Sequence, residues 1–149
     1  MAIWKSIILI TNEALPEPSH DWEDSAGAVV DFWGIVRGRE DGRAISGIEY
    51  EAHRSMAQHQ LEIIAQVARA EFQLGEIILR HRIGFVAAGE ASLFLRVTSA
   101  HRGAAFAASQ WIISELKKKV PIWKRPLFVR PNAPSPAAEE APQPVPARE

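Results

Sequence analysis

Branched apolar residues in short runs alternate along this chain with stretches of helical spacing. Residues 4–11 (WKSIILIT) form the first run and read as a strand. Residues 27–37 (GAVVDFWGIVR) read as a second, with Ala28, Val30, Phe32 and Val36 on one face and Val29, Asp31, Trp33 and Ile35 on the other. Gly34 interrupts it and predicts a bulge or a close backbone approach. The turn at 38–43 (GREDGR) is expected to close a hairpin onto residues 44–51. Residues 76–83 read as a strand with Ile77, Leu79, His81 and Ile83 on one side. Residues 84–89 read as a connection, and 91–98 as a strand with Leu93, Leu95 and Val97 on one face.

The helical spacing is clearest over residues 54–72. Ala57, Leu61, Ile64, Ala68 and Phe72 recur three or four apart, and Gly75 ends the segment. A second helix follows the turn Thr98-Ser99-Ala100, starts at His101-Arg102 and runs to about Lys119, where Pro121 stops it. Residues 13–25 hold two prolines and several acids, and read as a loop with a short helical turn near Trp22. Strands and helices mix without a regular βαβ rhythm. The expected class is therefore α+β: a mainly antiparallel sheet with two principal helices packed on it.

Composition changes sharply after Val129. The last stretch, PNAPSPAAEEAPQPVPARE, holds six of the ten prolines and no aromatic residue, so it cannot bury enough apolar surface to order itself. The expected organisation is one domain over 1–129 and a disordered tail over 130–149. A 47% hydrophobic fraction fits a packed core, and no apolar run approaches the length of a membrane span. The first ten residues are too short, and lack the cleavage pattern, for a signal peptide; the expected compartment is the cytoplasm. A net charge of −1 argues against generic nucleic-acid binding. The remaining nucleic-acid reading is a small RNA or anion binder using KKKVPIWKR, with Trp123 as a stacking platform. The absence of cysteine excludes disulfides, thiolate metal sites and a cysteine persulfide.

The candidate chemistry gathers at the two ends of the second helix. His101 and Arg102 sit where unpaired N–H groups and the positive end of the dipole attract anions. Two readings fit them: a phosphate or carboxylate grip, or a helix capped by Ser99 with Arg102 in solvent. At the far end, offsets of 4, 7 and 11 place Lys117 on the stripe of Ile113, Gln110 and Phe106. A lysine on a partly apolar stripe loses solvation and gains nucleophilicity. Lys118 falls under Trp111 and Lys119 under Ile112, so spacing does not single out Lys117, and a solvated run opposing the negative helix end fits equally. His53 and His59 are six apart, do not share a face, and read as surface histidines. His81 reads as a satisfied sheet histidine.

VTSAHRGAAF followed by LKKKVPIWKR resembles the large, catalytic subunit of molybdopterin synthase. GAVVDFWGIVRG at 27–38, IEYEAHRSMA at 48–57 and HRIGFVAAGE at 81–90 resemble that family in the same order, so the likeness covers roughly residues 26–126. The resemblance implies a hammerhead-like α/β arrangement and a sulfurtransferase that converts cyclic pyranopterin monophosphate to molybdopterin. Two sulfurs would come from the Gly-Gly thiocarboxylate that ends a small ubiquitin-like subunit. The large subunits would pair as a homodimer within a heterotetramer, with no cofactor, metal, nucleic acid or membrane involved. The family's two site lysines fall on Lys117 and Lys124, and its G-x-V-R segment on Gly34-Ile35-Val36-Arg37, implying substrate contacts from Ile35, Val36 and Arg37. Its histidine–arginine pair falls on His101 and Arg102, which would reach the neighbouring subunit's pocket, and Arg125 would add charge beside Lys124. The likeness ends at Pro126-Leu127-Phe128, where family members continue with an acidic residue and a stretch containing glycine and tryptophan. A member that docks the partner without turnover is the alternative.

Overall fold

The computed structural model describes residues 5–130; Trp4 of the first predicted strand and tail residues 131–149 lie outside them. The elements in chain order are β1 (Lys5–Thr11), β2 (Ala28–Ile35), β3 (Arg39–Glu40), β4 (Arg43–Ala52), α1 (Arg54–Phe72), β5 (Glu76–Arg82), β6 (Gly84–Ala87), β7 (Ala91–Ser99), α2 (Arg102–Lys119) and β8 (Ile122–Phe128). Among the described residues, no helix is long and apolar enough to cross a membrane.

One sheet runs β1-β5-β7-β2, with β1 parallel to β5 and the other pairs antiparallel. Its inner face presents Ile77, Leu79, Leu93, Leu95 and Val97 to both helices. They meet Ala57, Leu61, Ile64 and Ala68 of α1 and Ala105, Ala108, Ile112 and Leu116 of α2, all buried. Each large aliphatic side chain enclosed this way stabilises the fold by about 1.5–3 kcal/mol, and alanines at the helix contacts let the helices approach closely. His53 is more than a surface histidine: it is the N-cap of α1, and its Nδ1 accepts from the Met56 amide at 3.3 Å. Gln73, not Gly75, takes the left-handed conformation that ends α1, at φ 55°.

The second sheet runs β3-β4-β6, with β8 added along β4. It encloses a smaller cluster of Val36, Ile45, Ile48, Val86 and Phe128. Here the structure departs from two sequence expectations. The stretch at 27–37 does not pair with residues 44–51; β2 pairs with β7, because Ala28 and Val30 are needed on the face that α2 covers. The turn at Asp41-Gly42, both with positive φ, closes only the two-residue hairpin of Arg39–Glu40 onto Arg43 and Ala44. Residues 84–87, expected as part of a connection, form β6 against β4. The turn expected near Trp22 is at residues 24–25, with the Ala26 amide bonded to the Glu23 carbonyl at 3.0 Å.

On the outer face of the first sheet, Arg96 is almost fully enclosed. It donates to both carboxylate oxygens of Asp31 at 2.7 and 2.8 Å and also to the Ser19 carbonyl. Asp31 and Arg96 stand opposite each other in the β2–β7 register, so this ion pair fixes an edge strand and the loop above it together.

Candidate active site

The two sheets meet where the inner face of the first runs past the C-terminal end of α2, and a cavity of about 630 Å³ opens there. Four segments supply its charged and apolar walls. The first is the exit of β2. The register shifts between Gly34 and Ile35, as the glycine led one to expect, and the strand bends there. Strict alternation would send neighbouring residues to opposite faces; after the shift Ile35, Val36 and Arg37 all line the cavity. Arg37 is mostly exposed and lies 3.8 Å from Glu40, itself largely enclosed.

The second segment is the last turn of α2, which contributes Ile113, Leu116 and Lys117. The structure separates the three lysines that spacing left equivalent. Lys119 is 2.7 Å and Lys118 4.0 Å from Glu115. Lys117 lines the cavity and stands in no such pair among the described residues. Lys117 is nonetheless exposed, as are Phe106 and Gln110 on its stripe, so this chain alone does not supply the desolvation expected of that stripe.

The third segment is β8, which the sequence did not suggest as a strand. Its positions 122, 124, 126 and 128 share the inward face, so Lys124 reaches the cavity from the same side that buries Pro126 and Phe128. Arg125 is on the opposite face, across from Glu49, and does not line the cavity. Nor do His101 and Arg102. Arg102 is fifteen residues before Lys117 on one helix, about 22 Å at 1.5 Å per residue, and both members of the pair are exposed. His101 is the N-cap of α2 and makes no side-chain capping bond; Ser99 does not cap the helix either, its hydroxyl donating instead to the His101 carbonyl.

The cavity floor is the fourth contribution, and it is neutral: Tyr50, His81 and Ser92. The Tyr50 hydroxyl donates to Ser92 Oγ at 3.3 Å, and Ser92 donates to the Gly34 carbonyl at 3.5 Å. Burial raises the Tyr50 phenol above its ordinary value; the Ser92 bond opposes this and the Glu40 charge adds to it. His81 meets Tyr50 edge to face at 5.5 Å. Burial holds its imidazole below the ordinary value, partly offset by the bond to the Arg82 carbonyl. Among the described residues no group of three His, Asp or Glu side chains could hold a metal.

The match to the MoaE protein family model spans residues 10–119, most of the chain. The chain belongs to the MoaE protein family. It is 39% identical over 107 residues to the molybdopterin synthase catalytic subunit of Thermoplasma volcanium, covering 72% of this chain and 78% of that one. It is also 39% identical over 104 residues to the protein of that name from Oryza sativa subsp. indica, covering 70% of this chain and 54% of the rice protein. The fold is similar to the crystal structure of molybdopterin synthase from Staphylococcus aureus, at a TM-score of 0.72 and 28% identity, covering 82% of this chain and 90% of that one. The solved MoaE-type fold thus agrees with the α+β class expected from the sequence.

Glu40, Tyr50, His81 and Ser92 were not among the sequence candidates. Local spacing carries no signal for Glu40, Tyr50 and Ser92, since they come from a hairpin and two strands that only the tertiary fold brings together. His81 does show as the polar member of an otherwise apolar row, Ile77-Leu79-His81.

Proposed function

We propose that this chain is the catalytic subunit of a molybdopterin synthase, a sulfurtransferase of molybdenum cofactor biosynthesis. The observation that carries the reading is the convergence of Arg37, Lys117 and Lys124, from three separate segments, on one cavity with a neutral floor. In this reading the substrate is cyclic pyranopterin monophosphate. The sulfur arrives as the C-terminal thiocarboxylate of a small ubiquitin-like subunit, whose tail enters the cavity. Both reactants are anionic, and fixed cations in a recessed site attract and align them. The chain has no cysteine of its own to carry the sulfur. The relatives' name, catalytic subunit, itself presupposes a second subunit.

The thiocarboxylate sulfur bonds to a side-chain carbon of the pterin and displaces the oxygen substituent there, and water adding to the acyl carbonyl then breaks the acyl–sulfur bond. Sulfur stays on the pterin and a carboxylate remains on the donor tail. The oxyanion on that path needs a positive partner, and Lys117, which lines the same cavity as Lys124, supplies one; Lys117 also serves as the acid or base. Arg37 offers a bidentate clamp for phosphate or carboxylate. His101 and Arg102 sit about 22 Å along α2 from Lys117. They serve this chemistry only from a second copy, which fits a homodimer of large subunits flanked by two small ones.

The test combines the purified chain, a thiocarboxylated small subunit and cyclic pyranopterin monophosphate. Formation of the dithiolene product supports the reading. Binding of the small subunit without product would reduce the chain to a docking module.

A further inference from the structure

Resting on the functional reading above, we infer that His81 is a ligand-binding residue: its Nε2 accepts a hydrogen bond from an N–H of a bound reactant at the floor of the cavity. Nδ1 lies 2.8 Å from the Arg82 carbonyl oxygen, which can only accept, so Nδ1 carries the hydrogen. In the neutral ring, Nε2 is then a bare lone pair. His81 is 5% exposed, and burial favours the neutral form of its ring.

Nε2 has no hydrogen-bond partner within the described residues. Yet it is not sealed off: among the described residues, the one enclosed side-chain nitrogen or oxygen without a partner is Arg82 Nε. His81 is itself one of the residues that line the cavity. Its neighbours on the floor cannot satisfy it, because the Tyr50 hydroxyl is directed to Ser92 and the Ser92 hydroxyl to Gly34.

The free valence of the floor is therefore an acceptor, set below a rim of donors. A phosphate or carboxylate group belongs at Arg37, Lys117 and Lys124; at Nε2 it would face a lone pair. What fits Nε2 is an uncharged N–H. Two reactants carry one: the ring N–H groups of the pterin and the glycyl amides of the donor tail. A ligand that expelled water from the floor without offering a donor would leave the lone pair unmet.

Nitrogen NMR of the histidine side chains in the full chain tests this, with the His81 signals identified by their loss in His81→Asn. Cyclic pyranopterin monophosphate and a peptide ending in Gly-Gly are added separately. One of them should move the Nε2 resonance toward that of a hydrogen-bonded nitrogen and leave Nδ1 in place, and the arm that responds names the source of the N–H. His81→Asn keeps a donor for the Arg82 carbonyl but has no acceptor at the Nε2 position. It should weaken that same ligand about tenfold, with His81→Gln recovering part of the loss. An unmoved Nε2 with both ligands bound, or a His81→Asn chain that binds both as the parent does, overturns the proposal. If His81→Asn fails to fold, His81→Gln supplies the identification and the parental shift decides. If neither ligand binds the parental chain, the functional reading itself fails and this inference falls with it.

Discussion

Lys117 has the chemistry of a site residue and the exposure of a surface one. It lines the cavity while Lys118 and Lys119 turn to Glu115. Because it packs against little, Lys117→Ala should change unfolding free energy by no more than about 0.5 kcal/mol yet abolish sulfur transfer. Parental turnover by a folded Lys117→Ala chain would remove it from the mechanism. His81 presents the opposite case. Buried and held neutral, its imidazole takes up a proton at lower pH in the folded chain than in the unfolded one. Its contribution to stability is complete above the unfolded value of about 6.5. It is lost as pH falls from there through the depressed folded value. Around it stand Tyr50 on β4, Glu40 at the hairpin, Lys117 on α2 and Lys124 on β8. Thermal melts of the parent and His81→Asn across that range should show a shallower slope in the variant; equal slopes would contradict the assignment.

At the scale of elements, β8 decides how the cavity is built. Phe128 is 5% exposed, with the Arg43 guanidinium 4.1 Å over its ring. Phe128→Ala should cost about 3 kcal/mol, read as a lower denaturation midpoint at unchanged slope. It should also depress turnover, because the same strand holds Lys124. A second element-level prediction concerns Gly47, where an added Cβ would overlap the Val86 carbonyl across the β4–β6 pair. Gly47→Ala should therefore destabilise the second sheet, and parental stability would show that the pair yields easily.

The same elements mark the reach of the sequence. The helix at residues 54–72 was legible to the residue, since five apolar positions at helical spacing leave one solution. So were the inner faces of β5 and β7. The bulge at Gly34 was legible because a glycine inside a strand has few other uses. Four-residue β6 is too short to show alternation. In β8 two charges and a proline mask the pattern, and only pairing with β4 reveals that 124, 126 and 128 share a face. The pairing of β2 lies beyond local pattern for a related reason: a turn signal reports a local reversal, while partner choice is set by the cover of α2, far along the chain. Of the site, the lysines and Arg37 were reachable through resemblance. The neutral floor was not, being assembled from β4, β5 and β7 by the fold alone.

On the scale of the whole molecule, the candidate cations of α2 stand in two groups at its opposite ends, His101 and Arg102 at one and Lys117 at the other. If the reaction uses both, two copies must share each site. Mixing inactive Lys117→Ala with an inactive His101→Ala/Arg102→Ala variant should restore about a quarter of parental turnover, through mixed dimers with one intact site. No recovery despite subunit exchange would argue that the two groups serve separate purposes. The central claim is that sulfur is donated by a guest tail into the cationic cavity. The most direct measurement follows the intact mass of a thiocarboxylated small subunit incubated with this chain, with and without cyclic pyranopterin monophosphate. The account predicts a pterin-dependent exchange of sulfur for oxygen at the small subunit's C-terminus, matched by dithiolene formation and absent with Lys117→Ala. A thiocarboxylate that stays intact in the presence of the pterin and a properly bound parental chain would contradict it.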